Sequence, residues 1–115
     1  MAGKKARVKA NYTSSSLNPL YIMKGESVVV TYESDEWPGW IWCINKEGKS
    51  GWAPVNYLEI TEGSAVAKRD YDATELTVRE GDELKILDEE SGWYWCVFGE
   101  DEKGWVPIEN LEFID

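Results

Sequence analysis

The hydrophobic positions of this chain fall in short runs and alternations, and no window sustains a 3.6-residue period. Val28-Val29-Val30-Thr31-Tyr32 is β-branched and aromatic, the composition of a strand. Leu84-Lys85-Ile86-Leu87 alternates more clearly and predicts a strand with Leu84 and Ile86 turned inward. Trp40 to Ile44 predicts another strand, and Gly51 to Ala53 a third. Lys46-Glu47-Gly48-Lys49 supplies the hairpin turn between them, as Gly99 to Lys103 does further on. A single helical turn is expected after Pro54 and after Pro107. Short strands joined by turns imply an all-β chain built from small closed or half-closed barrels.

The pattern occurs twice. WIWCIN at 40–45 matches WYWCVF at 93–98, and GWAPVNYL at 51–58 matches GWVPIENL at 104–111, both at an offset of 53. Upstream, GESVVV at 25–30 matches GDELKI at an offset of 56, and Asn11-Tyr12 matches Asp70-Tyr71 at an offset of 59. The offset falls twice by three residues, and such length changes belong in surface loops. Two domains follow, 6–60 and 65–114, with 61–64 as the linker. Four residues reach at most ~14 Å.

Both repeats resemble Src-homology-3 (SH3) domains, and the likeness covers almost the whole chain. The first repeat shows Asn11-Tyr12, Leu20, Gly25-Glu26, Trp40, Gly51, Pro54 and Tyr57 in the family's order and spacing. The second shows Asp70-Tyr71, Glu75-Leu76, Gly81-Asp82, Trp93, Gly104 and Pro107. The resemblance implies two five-stranded barrels in tandem that bind proline-rich peptides. A polyproline II helix is already extended and needs flat aromatic walls for its rings. The family's groove residues carry over to Tyr12, Trp40, Pro54 and Tyr57 in the first repeat, and to Tyr71, Trp93 and Pro107 in the second. Two departures stand out. The first tyrosine of the family's ALYDY motif is Ala10 in one repeat and Arg69 in the other, so one wall of the proline slot is missing twice. The tyrosine of the last motif, kept as Tyr57, becomes Asn110. The loop from Thr13 to Pro19 also lacks the acids that hold a ligand arginine, whereas the second repeat keeps Asp72 and Glu75.

Trp40 and Trp42 lie two apart on a strand and share a face, as do Trp93 and Trp95. If Ile41 and Cys43 point into the core, both indoles point out, either to a ligand or to cap the barrel. Trp37, in the extra loop residues of the first repeat, is placed to extend the pocket or to fold back on its own barrel. Trp52 joins the candidate peptide-binding set, although its match in Trp105 favours a structural role common to both repeats. Cys43 and Cys96 read as reduced thiols filling equivalent core positions.

The composition narrows the chemistry. The 115 residues hold 22 acids, 12 bases and no histidine, for a net charge of -10. That balance argues against a nucleic-acid binder, which needs a basic face. Without histidine the commonest general base and metal ligand are gone. The runs Asp88-Glu89-Glu90 and Glu100-Asp101-Glu102 lack calcium-loop spacing and read as solvated turns. No catalytic residue, metal site or cofactor is expected. No apolar run approaches a membrane span, no signal peptide is visible, and two cysteines suggest a reducing cytoplasm. The expected function is a non-enzymatic interaction module whose first repeat grips an extended, proline-containing peptide of another protein. The alternative is a structural or assembly module whose grooves are vestigial and whose tryptophans pack between domains or chains. Residues 1–62 are neutral and residues 63–115 carry the whole net charge, which suggests that the second repeat attracts a basic partner segment.

Overall fold

The computed structural model describes residues 4–14 and 18–114. Among them the chain forms β1 (Lys4–Val8), β2 (Tyr21–Ile22), β3 (Ser27–Glu33), β4 (Trp40–Ile44), β5 (Ser50–Pro54) and β6 (Leu58–Thr61). There follow β7 (Ser64–Ala67), β8 (Tyr71–Asp72), β9 (Glu83–Glu90), β10 (Trp93–Phe98), β11 (Glu102–Pro107) and β12 (Leu111–Ile114). One 3-10 turn follows each expected proline, at Val55–Tyr57 and Ile108–Asn110. The hairpin turn after β4 is held by Asn45, whose Oδ1 accepts the Glu47 and Lys49 N–H groups, each at 3.0 Å. Among the described residues, no helix is long and apolar enough to cross a membrane.

Two five-stranded sheets carry the fold, in the orders β11-β10-β9-β1-β12 and β5-β4-β3-β7-β6. The two orders are equivalent under the repeat, but each takes one strand from the other repeat. β1 pairs with β9 and β12, through Ala6↔Leu84 and Val8↔Leu111. β7 pairs with β3 and β6, through Val28↔Ala65 and Leu58↔Ala67. The two repeats have exchanged their first strands.

The compact units therefore differ from the expected domains 6–60 and 65–114. One is continuous, residues 18–73, and the other is split, residues 1–17 with 74–115. In connectivity, the continuous unit is inserted into the first long loop of the split one, and its own strand order is a circular permutation of the barrel. The cause lies in the segment expected to be a linker. Glu62 and Gly63 both have positive φ, 29° and 80°, and form a two-residue hairpin turn that pairs Thr61 with Ser64. The first and last strands of this barrel are neighbours in the sheet. A tight turn from the last strand of one repeat into the first strand of the next thus fills that repeat's own first-strand position. β1 is left to fill the equivalent place between β9 and β12.

Packing and charge agree with the exchange. Val8 joins a core of Ala6, Leu76, Val78, Leu84, Ile86, Tyr94, Cys96, Val106 and Leu111. Ala65 and Ala67 are buried in the continuous unit, with Leu20, Ile22, Val28, Val30, Ile41 and Cys43. The larger Val8 thus enters the core that has Val78, and the smaller Ala67 the core that has Ile22, which levels the two volumes. Arg7 lies opposite both Glu83 and Glu112 and forms a 3.7 Å ion pair with Glu83. The exchange also redistributes charge. Residues 18–73 hold five bases and nine acids, and the remainder seven bases and thirteen acids, so the net charges are -4 and -6. The contrast between a neutral and an acidic repeat does not carry over to the compact units. Finally, Asp88-Glu89-Glu90 is not a turn but the end of β9, paired with Trp95, Tyr94 and Trp93.

Candidate peptide-binding site

The exchange regroups the candidate residues. Tyr12 does not join Trp40, Pro54 and Tyr57, because β1 carries it into the split unit with Trp93 and Pro107. Tyr71 takes its place. Pairing of Tyr71 with Ile22 fixes it in the continuous unit. Its ring meets Tyr57 edge-on at 5.7 Å and Trp40 at 6.5 Å, a row of three rings. Pro54, at φ -67°, ends β5 and opens the 3-10 turn that delivers Tyr57. The Val55 N–H bonds the Gly39 carbonyl at 2.8 Å and ties that turn to the start of β4. The Tyr71 hydroxyl donates to the Trp52 carbonyl at 2.7 Å.

These rings are well covered: Trp40, Tyr57 and Tyr71 are 5, 6 and 4% exposed. The outward Trp40 expected from strand alternation is thus a packed ring, while Trp42 is half-buried. Trp37 is also half-buried, in a turn where its N–H bonds Ser34 Oγ at 2.9 Å. Trp52 stands outside the row. It packs edge-on against Trp42 at 5.1 Å and against Tyr32 at 5.6 Å, and Tyr32 is 59% exposed.

Two of the substituted positions make contacts of their own. Where the first tyrosine of the motif is missing, Arg69 lays its guanidinium over the Tyr57 ring at 4.3 Å. In the split unit Asn110 Nδ2 donates to the Ala10 and Asn11 carbonyls, at 3.1 and 3.0 Å. The sequence showed both substitutions only as lost aromatics; the signal in each was a replacement long or polar enough to reach across. The split unit keeps Tyr12 edge-on to Trp93 at 5.6 Å, with the Tyr12 hydroxyl on Glu75 Oε1 at 2.6 Å. A pair of equivalent bonds crosses between repeats in each first loop: Glu80 N–H to Asn11 Oδ1 and Lys24 N–H to Asp70 Oδ1, both 2.7 Å.

Other chemistry is weak here. Cys43 and Cys96 are buried and unbridged. Burial pushes their thiols up to about 11 and about 12, which keeps them protonated at neutral pH. Among the described residues, no group of three Cys, Asp or Glu side chains could hold a metal ion.

The family model of the variant SH3 domain matches residues 5–61 and again 65–114. The chain belongs to the SH3 family. The strand exchange is a rearrangement between two SH3 repeats. A further likeness is to Myosin-1 of Mycosarcoma maydis, 40% identical over 57 residues. That match covers 48% of this chain and 4% of the myosin, so the chain spans a small fraction of the relative's length. SH3 domains are non-catalytic interaction modules that bind proline-rich peptides.

Proposed function

We propose that this tandem binds an extended, proline-containing segment of another protein through its 18–73 unit. The observation that carries the reading is the row Tyr57–Tyr71–Trp40, in which Trp40 pairs with Pro54 in the sheet and donates its backbone N–H to the Trp37 carbonyl at 3.3 Å. Its ring-to-ring steps of 5.7 and 6.5 Å each correspond to about two residues of a polyproline II helix rising ~3.1 Å per residue. The split unit is the weaker candidate, because Asn110 stands where the 18–73 unit has Tyr57 and its amide bonds the Ala10 and Asn11 carbonyls. Two buried, unbridged thiols fit a reducing, cytoplasmic setting.

The test is titration of tryptophan fluorescence with proline-rich peptides. Trp37→Ala is the preferred variant, since Trp40 is packed and its removal would confound binding with stability. Loss of a hot-spot ring costs ~2 kcal/mol or more in binding. Unchanged affinity in Trp37→Ala, with an unchanged circular dichroism spectrum, would count against this groove. The burial of Trp40, Tyr57 and Tyr71 favours a second reading, in which the rings are structural and the module serves assembly. Blue-shifted emission that no peptide alters, from a chain that is dimeric by light scattering, would favour that one.

A further inference from the structure

We infer that the outer face of the split unit's sheet docks an acidic helix of a partner protein along a row of three lysines. Sheet register builds the row: Lys5 stands opposite Lys85, Lys85 opposite Val97, and Val97 opposite Lys103. The adjoining Ala6, Leu84, Ile86, Cys96 and Gly104 are buried, so strand alternation turns the row outward, and all three lysines are exposed. Among the described residues none of the three forms an ion pair; the salt bridge of Arg7 with Glu83 lies beside them, further along β1 and β9. The other repeat supplies the comparison. Its equivalent row is Ser64–Val29–Ile44–Ser50, with no charge at any position.

Charge and spacing select the ligand. Like charges directly opposite in an antiparallel pair destabilise it, and Lys5 with Lys85 is such a pair. An anionic ligand relieves that repulsion and pairs with Lys103 as well. Neighbouring strands lie ~4.8 Å apart, so the row runs ~14 Å across the sheet. An α-helix with acids at i, i+4, i+7 and i+11 sets a carboxylate about every 5 to 6 Å along one line, and it fits the row lengthwise. The flanks set its width. On one side stand Glu83 and Glu112, opposite Arg7. On the other, Leu87 is 46% exposed and Trp95 is half-buried. The ligand is therefore one helix wide, with its acids on the lysines and apolar residues towards Leu87. A broad anionic surface, such as a lipid bilayer, would meet Glu83 and Glu112, in a unit of seven bases and thirteen acids.

The experiment uses the full chain and two labelled helical peptides of about 18 residues, long enough to hold a helix. Both have the same composition. One aligns its glutamates at i, i+4, i+7 and i+11, and the other spreads them round the helix. Binding is read by fluorescence anisotropy. The aligned peptide should bind ~10-fold or more tightly than the dispersed one. Lys5→Ser, Lys85→Val and Lys103→Ser together copy the uncharged row that the other barrel already carries, so the fold tolerates them, and a circular dichroism spectrum checks it. That variant should lose the preference, whereas Trp37→Ala should keep it, because the groove lies elsewhere. Equal binding of the two peptides, no binding of the aligned one, or a preference that survives the triple substitution would each overturn the inference. So would lysine-dependent binding to phosphatidylserine vesicles in place of the peptide, which would assign the row to a membrane.

Discussion

A carboxylate placed at position 8 tests the strand exchange directly. Val8 is fully buried, and its neighbours in the split unit include Val78, Leu84, Cys96 and Leu111. Val8→Ala removes two carbons at ~0.8 kcal/mol each and leaves a cavity, about 2 kcal/mol in all. Val8→Asp is more severe, because an unpaired buried charge costs ~3–5 kcal/mol. At ~0.05–0.15 kcal/mol per residue, a barrel of about 60 residues holds roughly 3–9 kcal/mol. One aspartate is then enough to open most of such a unit. Residue-resolved hydrogen exchange reads which one. With the strands exchanged, Val8→Asp strips protection from Trp93–Phe98 and spares Trp40–Ile44. Ala65→Asp, in β7, does the reverse. Loss of protection at Trp40–Ile44 in Val8→Asp, with Trp93–Phe98 intact, would refute the exchange and return each strand to its own repeat.

Further outcomes follow from the same geometry. Residues 18–73, produced alone, should fold as a permuted barrel with a cooperative thermal transition; a featureless melt would deny that the unit is self-sufficient. Gly104→Ala should destabilise by ~1–3 kcal/mol, because its Cβ would sit 2.9 Å from the Leu76 nitrogen. Gly51→Ala, which meets only the Leu20 side chain at 3.2 Å, should cost less in the same denaturant titration. The thiol pKa values are raised in the folded state, so unfolding releases protons once pH exceeds the ordinary thiol value of 9.0. Stability should therefore fall as pH rises from about 9 towards 11 and 12, and Cys43→Ala with Cys96→Ala should flatten that part of the stability-versus-pH curve.

What was legible in the sequence was local. The WxWC strands, the hairpin after Ile44 and the turns after Pro54 and Pro107 each follow from a few adjacent residues. Strand partnership is not local. Ala6-Arg7-Val8 and Ala65-Val66-Ala67 present the same inward alternation, so either could fill either barrel. The choice sits in Glu62-Gly63, which reads equally as a linker or as a two-residue turn. The groove suffered the same ambiguity. Tyr12 and Tyr71 lie in the opposite units from those expected, because they travel with the exchanged strands. Arg69 and Asn110 read as missing walls, since composition does not show how far a side chain reaches. Asp88 to Glu90 looked like a turn because acids are poor strand formers. On β9 they stand against Trp95, Tyr94 and Trp93, where cross-strand contact outweighs propensity.

The turn at Glu62-Gly63 also sets how the molecule bears load. Both ends of the chain belong to the split unit, on the adjacent antiparallel strands β1 and β12, with Lys5 beside Ile114. Tension applied at the ends would unzip that pair one register step at a time, a low-force geometry. The inserted barrel feels nothing until the outer one has given way. Its own two ends then meet at Tyr21 and Asp72, again paired side by side. Two repeats strung in simple series would share tension and yield in either order. Here the nesting imposes a sequence, with residues 18–73 loaded last.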